Sequence, residues 1–124
     1  MKIRLFTMED YDAVTALWRR SPGMGLNPVD DSREGIAAFL GRNPSTCFVA
    51  EEHGGLCGAV LCGHDGRRGT IYHACVDVEC RGQGVGGQLI DVCVGALRTE
   101  GITKAHLVCF RTNEPGNRFW ENRG

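Results

Sequence analysis

The sequence predicts an α/β domain: a mixed, mostly antiparallel central sheet flanked by helices. Three observations predict it. Three short apolar runs follow one another between residues 47 and 78, each joined to the next by a glycine-containing turn. Two amphipathic patterns of helical period precede them. A glycine-rich turn then leads from the last run into a third amphipathic pattern, the strand–turn–helix grammar of layered α/β folds.

The elements follow in order. Residues 2–6 alternate polar and apolar and read as a strand. Thr7 precedes Glu9 and Asp10, a hydroxyl cap with acids suited to the positive end of a helix dipole. Tyr11, Val14, Leu17 and Trp18 recur at helical spacing, so a helix runs over 11–20 until Ser21-Pro22-Gly23 breaks it. Residues 24–31 form a loop. Ser32 caps a second helix with Ile36, Phe39 and Leu40 on one face, ended by Asn43-Pro44. Residues 47–51, 56–62 and 70–78 are the three strands, with turns at His53-Gly54-Gly55 and Asp65-Gly66. A helix over 85–98 keeps Val85, Leu89, Val92, Cys93, Ala96 and Leu97 on one face, and Gly101 occupies its left-handed C-cap. Residues 103–110 form a further strand and 117–122 a last helix. The order is β-α-α-β-β-β-α-β-α, within a single domain spanning 1–124.

Composition narrows the function. The 124 residues are 42% hydrophobic and 23% charged, which is globular rather than disordered. A formal charge of −1 provides no general field for nucleic acid or an anionic membrane, so neither is expected as a partner. The apolar runs fall far short of the ~20 residues that cross a bilayer. The N-terminal alternation is unlike a secretory signal, and a cytoplasmic location is expected. Seven cysteines (Cys47, Cys57, Cys62, Cys75, Cys80, Cys93 and Cys109) are an odd number with no Cys-x-x-Cys pair. They are expected to be reduced packing residues, with no metal site.

The informative stretch is Val76-Asp77-Val78-Glu79-Cys80-Arg81-Gly82-Gln83-Gly84-Val85-Gly86-Gly87-Gln88-Leu89. Glycines let backbone N–H groups approach a ligand closely, and the helix start adds unpaired donors and partial positive charge. Arg81 adds a formal charge, so the segment suits a phosphate or pyrophosphate. Gly82-x-Gly84-x-x-Gly87 also fits a dinucleotide fingerprint. That reading needs an acid about 20 residues on, where this chain has Cys109-Phe110-Arg111. A Walker loop needs Gly-Lys-Ser/Thr, which is absent.

Arg81-Gly82-Gln83-Gly84-Val85-Gly86 resembles the pyrophosphate loop R/Q-x-x-G-x-G/A of the GNAT superfamily of N-acetyltransferases. Asn113 to Gly124 is similar to that family's later N-x-x-A-x-x-Φ-Y-x-x-x-G-F segment, with Gly116 at the alanine place and Trp120 at the tyrosine place. The resemblance implies a sheet with splayed strands and acetyl-CoA as cosubstrate. It implies coenzyme contacts at Ala74, Cys75, Val76, Val78, Arg81, Gly82, Gln83, Gly84, Val85, Gly86, Gly87, Gln88, Asn113 and Trp120. It also implies that the domain continues past Gly124 with strands missing here, so the chain is expected to be a trimmed form, a proteolytic product, or one that borrows a strand from a partner. An uncovered strand edge then makes a homodimer an expectation.

The implied reaction is attack of an uncharged amine on the thioester of acetyl-CoA within a ternary complex. Trp120 stands where the family has a tyrosine acid, and Cys109 where many members have a glutamate base. His73 is the side-chain candidate for the base, with a water relay as the alternative route. Asp30, Asp31 and Glu34 either attract a cationic amine or favour the dipole of the second helix. A non-catalytic acyl-CoA-binding module is the alternative function.

Overall fold

A computed structural model describes residues 1–21 and 24–107. Five strands form one open sheet in the order β1 (Lys2–Leu5), β2 (Phe48–Glu52), β3 (Gly55–His64), β4 (Gly69–Val76) and β5 (Ala105–Leu107). The first four pair antiparallel, and β5 runs parallel to β4 over Gly69–Ile71. Helices α1 (Tyr11–Arg19) and α2 (Arg33–Arg42) cover one face, and α3 (Val85–Thr99) covers the other. The expected fold and element order are thus observed as far as β5. The splay of strands beyond Ile71, the last helix, Cys109, Asn113 and Trp120 lie outside the described residues.

Local chemistry sets each element. Thr7 takes the N-cap place expected of it, and Asp10 completes a capping box there. The Asp10 carboxylate reaches back to the Thr7 N–H (2.9 Å), and Met8–Asp10 forms a short 3₁₀ turn leading into α1. The same carboxylate receives a two-pronged bond from Arg4 of β1 (2.7 and 2.8 Å), joining strand to helix. Ser32 Oγ accepts from Gly35 N at 3.0 Å and caps α2 as expected. Gly101 takes the left-handed conformation (φ 84°) beyond α3.

Two cores result. Val14, Leu17, Trp18, Ile36 and Leu40 pack onto Val49, Ala59, Leu61 and Cys75. On the opposite face Val85, Leu89, Ile90, Cys93 and Leu97 of α3 pack onto Val60, Cys62 and Ile71. The buried face of α3 differs from the expected one. Ile90 is buried and Val92 is exposed, because the seam runs through Leu89, Cys93 and Leu97 and Val92 sits about 100° round the helix from Cys93. The strand over 70–78 ends earlier than expected, at Val76. Asp77 accepts from Glu79 N and starts a 3₁₀ turn over Val78–Cys80. Burial, not bonding, explains the described cysteines: all six are free thiols and five are buried.

Gly58 is where α3 comes closest to the sheet. A Cβ there would lie 2.9 Å from Leu89 Cδ1, 3.1 Å from Cys75 O and 3.2 Å from Val85 Cγ1. Gly58→Val should therefore cost about 1–3 kcal/mol through overpacking, while Gly95→Ala, on the open side of α3, should stabilise by about 0.5–1 kcal/mol. Thermal unfolding of both variants checks the contrast.

The Arg4 hydrogen bonds, foremost, hold the Asp10 carboxyl below its ordinary range, against the opposing effect of burial. A depressed folded value stabilises the fold above the unfolded value of about 4, and that contribution is lost as pH falls through the folded one. Asp10→Asn should lower stability by about 1–3 kcal/mol at neutral pH. Its deficit against the parent should shrink on acidification, as read from denaturant midpoints at neutral pH and at about pH 3.

Candidate active site

The strand β4, the turn after it and the start of α3 bring most of the sequence-predicted residues together. The pairing of β3 with β4 steps from Leu61↔His73 to Cys62↔Ile71, so Tyr72 has no opposite residue and forms a bulge. Beyond it, Ala74 and Val76 face α3, whereas His73 and Cys75 face α1 and α2. Val78, expected at a strand end, is 65% exposed in the turn that follows.

After that turn the chain passes through Gly82 (φ 82°) and Gly84 (φ 79°), conformations that suit glycine. A Cβ at Gly82 would meet open space, so the reason for glycine there is the backbone turn and not crowding. Gly84 is the N-cap of α3 and has no side chain to satisfy the first-turn N–H groups; the first helical bond is Gln88 N to Gly84 O, 3.1 Å. The result is an uncapped helix start fronted by an exposed glycine turn, with Gln83 and Gln88 also exposed. Arg81 is exposed beside it, its Nε 3.4 Å from Val76 O, a long contact that holds the guanidinium weakly. Together these donors and this cation make an anion cradle.

Next to the cradle a cleft of about 280 Å³ is lined by Arg20, Ser21, Asp77, Val78, Glu79 and Arg81. Arg20, at the end of α1, donates to Asp77 at 2.8 Å and holds that carboxyl below its ordinary range. At the same end of α1, Cys75 Sγ donates to Ser21 Oγ (2.9 Å), which donates to Leu17 O (2.7 Å). Burial pushes the Cys75 thiol up, with Ser21 acting in the opposite sense, so it is not a ready nucleophile. Cys57 is likewise raised by burial, to about 11.

His73 lies between α1 and the loop before α2. Its ring meets Trp18 edge-on, with centroids 4.8 Å apart, and its Nε2 is 3.0 Å from Asp31 Oδ1. Both side chains are nearly buried, 11% and 9% exposed. Trp18 is a core residue, yet its buried indole N–H has no hydrogen-bond partner among the described residues. An unpaired buried donor costs about 1–3 kcal/mol.

Asp31 and Asn27 are what sequence reasoning missed. Asp31 was expected to attract a cation or favour a dipole, and it pairs with His73 instead. Asn27 Oδ1 accepts from Val29 N and Asp30 N (2.8 and 2.9 Å), an Asx turn that folds the loop back. The Asn27-Pro28 dipeptide was the legible signal for that turn. Asp30 and Glu34 remain exposed. No group of three or more His, Cys, Asp or Glu among the described residues is placed to hold a metal ion. None of the described helices is long and apolar enough to cross a membrane.

The model of the Acetyltransferase (GNAT) family matches residues 11–124. The chain belongs to this family. It is 35% identical over 114 residues to an acetyltransferase of Pectobacterium atrosepticum, covering 92% of this chain and 79% of that one. Its fold is similar to that of Ard1 from Thermoplasma volcanium, with a TM-score of 0.86 at 21% identity over 99% of this chain and 80% of that one. It is also similar to the PaiA N-acetyltransferase of Thermoplasma acidophilum, solved in complex with coenzyme A. There the TM-score is 0.83 at 17% identity, over 100% of this chain and 89% of that one.

Proposed function

We propose that this chain transfers an acetyl group from acetyl-CoA to a primary amine. The observation that carries the reading is the uncapped start of α3 behind the positive-φ glycines, with Arg81 alongside, at the end of a strand edge. The cradle of residues 81–87 takes the pyrophosphate. The backbone of Ala74–Val76 takes the pantetheine arm, an extended amide chain that pairs with a strand as a peptide does. The N-acetyltransferase neighbour solved with coenzyme A supports the choice of donor.

In the reaction the amine lone pair attacks the thioester carbon. A C–N bond forms, the C–S bond breaks, and coenzyme A leaves as its thiolate. The proton lost by the amine passes to His73, the imidazole on the α1/α2 side of β4. The competing reading, a coenzyme binder without turnover, draws on Trp120 and Cys109 at the family's tyrosine and glutamate places.

Calorimetric titration of acetyl-CoA should show binding to the full chain and none to a folded Gly84→Glu variant, whose carboxylate enters the cradle. Equal binding by both would remove the loop from the coenzyme site. His73→Gln should lower kcat/KM for an amine found by panel screening by at least about tenfold, with the affinity for acetyl-CoA unchanged. Unaltered turnover would exclude His73 from the proton path, and an absence of turnover by the parent on every amine would favour the binder.

A further inference from the structure

We infer that Asp31 is the positioning residue for His73: it fixes which ring nitrogen carries the proton and so leaves Nδ1 as the atom that accepts the amine's proton. This rests on the transferase reading above. The argument begins with the carboxylate, which in its ionised form can only accept hydrogen bonds. With Asp31 Oδ1 at 3.0 Å from Nε2, the neutral imidazole must carry its hydrogen on Nε2 and keep its lone pair on Nδ1. Among the described residues no hydrogen bond is made by Nδ1.

Asp31 is itself held from several sides, as a positioning group must be. Its Oδ2 accepts from Asn27 N at 2.8 Å and its N donates to Asn27 O at 2.9 Å. Its carbonyl accepts from the Tyr11 hydroxyl at 2.8 Å, and the Tyr11 ring lies under Arg33, 4.7 Å from the guanidinium carbon. The loop before α2 is thus tied to α1 and to α2, and it presents one carboxylate to one imidazole. Trp18 closes the other side of the ring. A carboxylate placed only to favour the α2 dipole needs no partner on β4. One that is nearly buried with an imidazole, its second oxygen filled by a backbone N–H, has its orientation determined.

The conformation of the loop at 24–31 thus sets the geometry of the imidazole.

Two measurements on the full chain test this. The first is long-range ¹H–¹⁵N NMR of histidine-labelled protein at alkaline pH, with His73 among the four histidines assigned by His73→Gln. The parent should show the Nε2–H tautomer, and Asp31→Asn should lose that preference. The second is steady-state kinetics. Asp31→Asn should lower kcat on the order of 10–100-fold, with the dissociation constant for acetyl-CoA unchanged, and Asp31→Glu should recover part of the loss. In the double variant with His73→Gln, the second substitution should add little. A tautomer indifferent to Asp31, or an Asp31→Asn enzyme with parental kcat, overturns the proposal. If the variant unfolds, the tautomer of the parent alone decides: a hydrogen on Nδ1 overturns it. A parent that shows the Nε2–H tautomer but acetylates no amine overturns the transferase reading and leaves the placement of the ring by Asp31 standing.

Discussion

The candidate site depends on one irregularity in β4. A regular strand sends alternate side chains to alternate faces, so Ile71, His73 and Cys75 would share a face. The unpaired Tyr72 breaks that alternation. Ile71 faces α3 and packs with Leu97, while His73 and Cys75 turn to α1 and α2. Without the break, either Ile71 would leave the α3 core or His73 would be pressed under that helix, away from Asp31. Tyr72 itself stays half-exposed and meets Phe39 of α2 edge-on at 5.6 Å, which anchors the bulge. A local kink in the backbone therefore sends apolar residues to one core and an imidazole to the other.

The opposite face of the sheet supplies the second requirement, a helix start that can remain uncapped. A good N-cap is worth about 1 kcal/mol. Burying a large apolar side chain is worth about 1.5–3 kcal/mol, and α3 buries Val85, Leu89, Ile90, Cys93 and Leu97. The helix is held by its flank, so its first turn need not be satisfied internally. Gly58 and Gly69 bring that flank down onto the sheet; a Cβ at Gly69 would lie 2.8 Å from Leu97 Cδ1. Close packing at both ends of α3 fixes where its unpaired N–H groups point.

How much of this was legible in the sequence follows from how local each cause is. The strand–turn–helix over residues 76–89 was legible because glycines, a cation and a helical period lie within one contiguous stretch. The Ser32 cap and the Gly101 stop were legible for the same reason. What escaped were consequences of pairing at a distance. The bulge at Tyr72 arises from the register of β4 against β3, and no residue type announces it. The end of β4 at Val76 depends on Asp77 capping its own turn, with Asp77 N bound to Cys57 O at 2.8 Å, across to the neighbouring strand. The partnership of Asp31 and His73 spans 42 positions and follows only from the path of the loop. Val92 was misplaced because eight apolar residues and three glycines in α3 leave several faces open to choice, and the sheet selects one.

The residues that depart from the family's pattern also carry an energetic argument. On the proposed reaction, coenzyme A leaves as a thiolate, whose conjugate acid titrates near 8.5. Such a leaving group needs little proton donation at neutral pH, so an indole at the tyrosine place costs the reaction little. The base is different, and how much it matters depends on the acceptor. At pH 7 a peptide α-amine is neutral in about one molecule in ten, a deficit near 1.4 kcal/mol. A lysine-like amine is neutral in fewer than one in a thousand, a deficit above 4 kcal/mol. On that reading, a base such as His73, aligned by Asp31, has a smaller deprotonation deficit to meet with an α-amine than with a lysine-like amine.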